Sequence, residues 1–278
     1  MTKISLIAFA ALASVAHSAP ALAKEPTLAI RSGSKEIVFK RSELLKRKDA
    51  VTLKIDYDPA LPGRTMEYRA VPAHALFEGI EIPKDATIQF KCLDGVAGPS
   101  DQETLLNSSS SESIAYLAIE PPDSKWPALN PPKDMRTPAP YYLVWVDPKK
   151  SGIGQEQWPF QLSGFEVKGK LETLYPAIQP VSKVKAVRSG YESFVKNCFA
   201  CHTMNKQGAS QMGPDLNVPK NPTEYFTEKT LRAYIRDPQS LRHWPQAKMT
   251  PFSKEALSES ELSDLVAYLR QMSRQKAK

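Results

Sequence analysis

Cysteine and long apolar runs are both scarce in this sequence, and each shortage argues against a class of protein. Only three cysteines, Cys92, Cys198 and Cys201, occur among the 278 residues. A small fold held together by disulfides normally uses more cysteines, in an even number. A membrane-spanning helix needs roughly 20 apolar residues, and no stretch beyond the amino terminus is long and apolar enough. We therefore expect neither a disulfide framework nor an integral membrane segment.

Clustered positive charge is also lacking. The formal net charge of +7 is spread along the chain, without a basic block interleaved with aromatic residues. Nucleic-acid binding normally requires such a basic patch, so a nucleic-acid partner is not expected. A moderate, dispersed charge is typical of a solvated surface, or of a field that steers the protein towards an acidic partner.

The amino terminus has the pattern of a targeting segment. Lys3 precedes an uncharged apolar run from Ile4 to Val15, and the small-residue sequence Ala21-Leu22-Ala23 follows. A positive start, a short apolar run and an Ala-X-Ala ending are typical of a secretory signal peptide. We predict a signal peptide at residues 1–23 and a mature, exported chain that begins near Lys24 and resides in a bacterial periplasm.

Residues 24–176 carry mainly β-strand signals. Short alternating or apolar runs are separated by proline, glycine and aspartate, which is typical of strands joined by turns. The predicted strands lie at residues 28–30, 37–39, 51–55, 87–90, 114–119 and 142–146. Two short helices are predicted inside this region, at residues 41–47 and 72–77. The pattern predicts a mainly-β (α+β) domain.

The periodicity becomes helical in residues 188–278, after a predicted linker at residues 177–187. The first predicted helix has an apolar face formed by Tyr191, Phe194, Val195 and Cys198. A second helix is predicted from Thr227 to Arg236. The last begins with a capping box of Ser258 and Glu261, and its apolar stripe comprises Leu262, Leu265, Val266, Leu269 and Met272. We expect a two-domain protein whose second domain is all-α.

The motif that carries chemistry is Cys198-Phe199-Ala200-Cys201-His202. Cys-X-X-Cys-His is the attachment signature of c-type haem. Two thiols one helical turn apart can form thioethers to one porphyrin, and His202 can then bind the iron. A redox disulfide would be expected in an α/β setting, and a zinc site needs ligands that this segment lacks apart from His243. We predict one covalent haem c on Cys198 and Cys201, with His202 as an axial ligand of the iron.

The second axial ligand has several candidates in the sequence. Met249 is favoured because it lies in a proline-restricted loop between the last two helices. His243 would give a bis-histidine site, and it could equally be a surface residue. Met204 is too near His202 to reach the opposite face, and Met212 precedes Gly213-Pro214 in a turn expected beside His202. An iron site left open on this side is the remaining alternative.

Residues 186–275 resemble a class I cytochrome c domain. The haem motif, then Gly213-Pro214-Asp215-Leu216, a methionine loop at Met249 and the terminal helix around Tyr268 occur in that family's order. The resemblance implies that the Pro214 carbonyl accepts a hydrogen bond from His202, and that the first and last helices cross near Tyr268 or Leu269. In the family the methionine is usually followed directly by proline, whereas Thr250 intervenes here.

The amino-terminal region is similar to the molybdopterin-binding domain of sulfite-oxidase-like proteins. The similarity rests on residues 39–44, 90–95 and 140–145. It implies a comparable position for Cys92 and the cysteine that binds molybdenum in the active family. A pterin cofactor needs many surrounding donors, however, and few Arg, His or Asn residues lie near Cys92 in the sequence. Bound molybdopterin is therefore not expected, and Cys92 is more typical of a buried small apolar residue.

Together these patterns predict a periplasmic electron-transfer protein rather than an enzyme. The haem would carry single electrons between redox partners such as a dehydrogenase or an oxidase, and the β domain would serve in docking or assembly. The alternative is a molybdenum-dependent, sulfite-oxidase-like oxidoreductase fused to its own haem c electron acceptor.

Overall fold

The computed structural model describes residues 24–210 and 212–277, so the predicted signal peptide at residues 1–23 lies outside the described residues. In the described part of the chain the strands come first and the long helices last. The strands are β1 (Thr27–Ser32), β2 (Lys35–Lys40), β3 (Val51–Ile55), β4 (Met66–Pro72), β5 (Thr87–Cys92), β6 (Ala97–Asp101), β7 (Ile114–Ile119), β8 (Tyr141–Val146) and β9 (Leu162–Lys168).

The strands form two sheets that share one apolar core. The first sheet has the order β2-β1-β9-β5-β6 and the second has the order β3-β4-β7-β8. Neighbouring strands are antiparallel except for the parallel pair β1 and β9. Leu28 and Ile30 of the first sheet and Leu117 of the second are fully buried in the same cluster. The two sheets therefore form one domain, which confirms the predicted β architecture.

The helices are short within this domain and longer after it. They are α1 (Arg41–Leu45), α2 (Ala73–Leu76), α3 (Gln102–Leu105), α4 (Leu171–Leu174), α5 (Lys185–Asn197), α6 (Pro222–Tyr225), α7 (Glu228–Arg236), α8 (Pro238–Leu241) and α9 (Glu259–Ser273). Helix α9 begins with a capping box, in which the Ser258 hydroxyl accepts from the Glu261 amide and the Glu261 carboxylate accepts from the Ser258 amide. A sheet domain followed by a helical region is the predicted fold class, and the structure confirms it.

Helices α5 and α9 cross in close contact at Gly190. A Cβ atom at Gly190 would lie 1.9 Å from the carbonyl oxygen of Asp264 and 2.8 Å from the Cβ of Tyr268. Tyr268 is fully buried, and its hydroxyl donates to the Ile178 carbonyl at 2.7 Å. Only glycine permits this approach of the two backbones, so Gly190 sets the packing on which the helical core depends.

We expect Gly190→Ala to destabilise the helical region by about 3 kcal/mol, because the clash is with backbone that cannot rotate away. Urea unfolding followed by far-ultraviolet circular dichroism measures the effect. Gly169→Ala is the matched control, since a Cβ there meets nothing within 4 Å. Equal midpoints for the two variants would contradict this packing.

Residues 177–187, the predicted linker, include side chains that pack on the helical core. Ile178 is fully buried in the helical core, where Leu171 and Tyr175 also pack, and α5 already begins at Lys185. Val187, in the first turn of α5, is buried in the same core. The segment has little periodicity because it consists of a single turn, an extended stretch and the start of a helix, so its buried side chains form no regular pattern.

Candidate haem site

The Cys-X-X-Cys-His motif forms a tight turn directly after α5. The Cys198 amide donates to Phe194 O at 2.9 Å, and Cys198 O accepts from the amides of Cys201 at 3.1 Å and His202 at 2.9 Å. Phe199 is buried and packs against the ring of Tyr175, with ring centroids 5.0 Å apart. This turn brings the two thiols and the imidazole onto one short piece of backbone.

The His202 ring is oriented by the segment that follows the motif. Its Nδ1 lies 2.8 Å from the carbonyl oxygen of Pro214. Because a carbonyl can only accept, Nδ1 carries the hydrogen and Nε2 is left as the nitrogen that can bind a metal. Burial lowers the pKa of His202, so its imidazole is neutral at neutral pH, as a metal ligand must be.

Gly213 packs directly against this imidazole. A Cβ at Gly213 would lie 2.5 Å from Cε1 of His202 and 2.6 Å from Nδ1, and the Gly213 amide donates to Cys201 O at 2.8 Å. The glycine therefore lets the chain pass beside the ring and fix its plane. The hydrogen bond from His202 Nδ1 to the Pro214 carbonyl also orients the ring, and a bond of this type raises the basicity of a histidine that binds a metal.

The two motif thiols have surroundings unlike those of a redox-active pair. Burial raises the pKa of Cys201 to about 12 and raises that of Cys198 further, and the nearby Glu156 carboxylate acts in the same direction. A reactive Cys-X-X-Cys pair has instead a lowered pKa. The two cysteines do not form a disulfide with each other, and their spacing fits thioether bonds to one haem.

The four candidates for the second axial ligand have different surroundings in the structure. Met204 is fully buried in the helical core, and Met212 directly precedes Gly213, which packs against His202. His243 is exposed in the stretch after α8. Met249 is partly buried and packs against the helical core. Of the four, Met249 combines apolar surroundings with a place in the loop between α8 and α9.

The sheet domain covers the haem-attachment turn. Ala200, between the two motif cysteines, is buried in the apolar core of the sheets, and its carbonyl accepts from the Ala97 amide at 3.3 Å. A Cβ at Gly98 would lie 2.9 Å from both Cα and Cβ of Ala200. Sequence reasoning missed this contact because two small residues in separate segments carry no signal of their pairing.

A second contact from the sheet domain reaches the methionine loop, and sequence reasoning missed it too. Glu156 lies in a single helical turn at Gln155–Gln157. Its carboxylate accepts from the Thr250 hydroxyl at 3.0 Å and from Gln155 Nε2 at 3.2 Å. Desolvation raises the pKa of Glu156, and its charge interacts with both Cys198 and Cys201. The Glu156 side chain therefore lies close to the motif and bonds to the residue after Met249.

Cys92, the predicted low-ranking candidate for a molybdenum ligand, lies next to an acidic residue and to the haem motif. It ends β5 at a bulge, and its electrostatic neighbours are Asp94 and the motif residue Cys201. Burial raises its pKa, whereas a metal-binding thiolate needs positive surroundings. The next turn is occupied by the helical region, since Gly95 O accepts from the Ser210 hydroxyl at 3.2 Å. That bound molybdopterin is not expected at Cys92 stays a prediction.

The described residues, 24–210 and 212–277, contain no group of three or more His, Cys, Asp or Glu side chains arranged to hold a metal ion. In the same part of the chain no helix has the length and hydropathy to cross a membrane. A haem site does not need such a group, because the porphyrin supplies four of the iron ligands and the protein supplies one or two.

The helical domain has the features expected of a covalent haem site. Two thiols lie on one turn, and the neighbouring imidazole is held by the Pro214 carbonyl and packs against Gly213. Residues 187–273 match the family described as Cytochrome c, and the chain belongs to this family. It is 30% identical to cytochrome c2 of Blastochloris viridis over 118 residues, covering 36% of this chain and 88% of the relative. It is also 30% identical to cytochrome c of Sesamum indicum over 103 residues, covering 31% of this chain and 88% of the relative. Cytochrome c2 of Rhodospirillum rubrum is 27% identical over 103 residues, with 28% and 76% covered.

The family match lies in the helical region and begins after the last strand. Membership of the cytochrome c family implies covalent haem c, electron transfer and redox partners. The resemblance of the last third to a cytochrome c domain is thereby confirmed, while the resemblance of the sheet domain to sulfite-oxidase-like proteins stays a prediction.

Proposed function

We propose that this chain is an exported cytochrome with one haem c, which transfers single electrons between redox proteins in the periplasm. The haem would be attached to Cys198 and Cys201, with His202 and Met249 as the axial ligands. When bound, it supplies a one-electron couple between ferric and ferrous iron. Pro214 orients His202, and the sheet domain packs on Ala200 of the attachment turn.

The observation that carries this proposal is the geometry of His202. Its Nδ1 is held at 2.8 Å by Pro214 O and its ring lies against Gly213. A histidine packed in a core also needs a partner for its ring N–H, so the support for haem comes from the combination of this pairing with Gly213 and the two thiols of the same turn. A neutral imidazole with Nε2 available is the form that binds haem iron.

We also propose that the sheet domain, residues 24–176, serves docking and assembly, with residues 177–187 connecting it to the cytochrome domain at 188–278. This role is supported by the burial of Ala200 in the sheet core and by the Ala97–Ala200 hydrogen bond. A domain that packs on the attachment turn limits the faces through which a partner can approach the haem. Export is supported by the residue pattern at positions 1–23.

The first experiment is an optical spectrum of the oxidised and dithionite-reduced protein, together with metal analysis of the same sample. The protein would be produced with its own leader in a host that attaches haem c. We expect sharp α and β bands after reduction, a weak far-red ferric band and one iron per chain. Mass spectrometry of the same sample would give a mature chain that begins near Lys24.

Two outcomes would contradict the proposal. A sample without covalent haem would remove the assignment of Cys198 and Cys201. One molybdenum per iron would replace the docking role of the sheet domain with that of a molybdenum oxidoreductase that passes electrons to its own haem.

A further inference from the structure

We propose that the sheet domain holds the Met249 loop in position through Thr250, so that Glu156 and Thr250 are positioning residues for the distal iron ligand. This inference rests on the proposed function, in which the Met249 sulfur binds the iron. It adds to that function a specific task for the sheet domain, which contains no iron ligand.

The contact consists of two hydrogen bonds to the Glu156 carboxylate and a third from Gln155 to the backbone of the loop. Thr250 Oγ1 donates to Glu156 Oε1 at 3.0 Å, and Gln155 Nε2 donates to the same oxygen at 3.2 Å. Gln155 Nε2 also approaches the Pro251 carbonyl at 3.4 Å. The two residues that follow Met249 are therefore both bonded to one turn of the sheet domain.

The rest of the loop is fixed at its two ends, which leaves the part around Met249 dependent on this contact. At one end Gln239 bonds both the amide and the carbonyl of Trp244. At the other end Phe252 is buried, and Arg236 donates to the Phe252 carbonyl at 3.0 Å. Between them residues 245–248 are exposed. A lateral hydrogen bond at Thr250 removes freedom from the segment that carries the sulfur.

The extra residue between Met249 and Pro251 acquires a role in this arrangement. A class I cytochrome c usually has proline directly after the methionine, and here Thr250 supplies a hydroxyl at that position. Its acceptor, Glu156, is partly buried and lies near Cys198 and Cys201. Thr250 itself is exposed, so its bond to the Glu156 carboxylate contributes about as much as one ordinary hydrogen bond, and it connects the residue after Met249 to the sheet domain.

Imidazole binding to the ferric protein tests the inference, because added imidazole must displace the methionine sulfur from the iron. Its apparent affinity rises in proportion to the fraction of molecules whose sulfur is already detached. Thr250→Val keeps the shape of the side chain and removes the donor hydroxyl. We expect it to raise the imidazole affinity about three- to tenfold, the equivalent of one lost hydrogen bond, and to weaken the far-red band.

Four further variants make the test specific. Thr250→Ser should restore the wild-type affinity, since it returns the hydroxyl. Glu156→Ala should match Thr250→Val, and the double variant should add little to either, because both remove the same bond. Lys196→Met is the matched control: it removes a different contact between the domains, the 2.7 Å bond from Lys196 Nζ to Gly152 O, without touching the loop.

The outcomes separate this inference from the function on which it rests. If Met249→Ala raises imidazole affinity strongly while Thr250→Val leaves it unchanged, the ligand assignment stands and the positioning role is wrong. If Lys196→Met acts as strongly as Thr250→Val, the effect is general loosening of the interface, which also overturns it. If Met249→Ala changes neither the affinity nor the far-red band, Met249 is not the ligand and both proposals fail.

Discussion

The double variant Cys198→Ala/Cys201→Ala should be recovered without covalently bound haem and with its helical region largely unfolded. The region that matches cytochrome c spans only residues 187–273, and a domain of that size has a marginal apolar core of its own. A covalently held porphyrin adds a large apolar surface on which the helices pack. Haem staining of a denaturing gel measures attachment, and far-ultraviolet circular dichroism measures the loss of helix.

The third cysteine provides the matched control for this variant. Cys92→Ala removes a partly buried thiol that interacts with Cys201 but lies outside the motif. We expect it to retain full haem staining and wild-type helix content. Haem that stays covalently attached in the double variant would refute the assignment, and loss of haem in Cys92→Ala would place that sulfur in the attachment chemistry.

The elements that could be predicted from the sequence are those with a local signal. The capping box of Ser258 and Glu261 predicted the start of α9, and its stripe of apolar residues is buried as expected. The predicted strands at residues 51–55 and 114–119 coincide with β3 and β7. In each case the residues that determine the element are adjacent in the chain, so the pattern and the structure depend on the same neighbours.

Strands without a local signal were missed. Strand β6 contains Gly98 and Pro99, which normally interrupt strands, but it lies at a sheet edge where proline is tolerated. Strand β9 contains Gly164, where a Cβ would lie 2.2 Å from Ala29 O on the neighbouring strand. In the sequence that glycine suggests an interruption of the strand. In the fold, the absence of a side chain at Gly164 permits the parallel pairing of β9 with β1.

The candidate site likewise has parts that the sequence predicts and parts that only the fold shows. The Cys-X-X-Cys-His turn and the Pro214 segment lie close in sequence and have a spacing that reflects their chemistry. The contacts from the sheet domain do not: Ala200 meets Gly98, and Thr250 meets Glu156, across about 100 residues in each case. A single acidic residue in a polar turn has no spacing to recognise, so only the assembled fold could show that the two domains meet at the motif.

In the Met249→Ala variant we expect haem to remain attached while the weak far-red ferric band disappears and the midpoint potential falls. The soft thioether favours the ferrous state, so its loss favours ferric iron. The fall should be a sizeable part of the roughly 0.8 V range over which axial ligands set haem potentials. Carbon monoxide should then bind the reduced protein readily, whereas the wild type should resist it. Spectroelectrochemistry and carbon monoxide difference spectra measure the two effects.

Variants of the other candidate ligands are the controls, because the far-red band and the potential should change only when the true ligand is replaced. His243 is exposed, and Met212 lies beside Gly213 on the His202 side, so His243→Ala and Met212→Ala should leave the far-red band and the potential unchanged. If the band survives in Met249→Ala and disappears in Met212→Ala, the ligand is Met212, in the turn after the motif. A wild-type spectrum without the far-red band, together with a response only to His243→Ala, would indicate two histidine ligands. Carbon monoxide binding to the wild type without any variant would indicate an open site, and the protein would then be suited to bind small ligands rather than only to carry electrons.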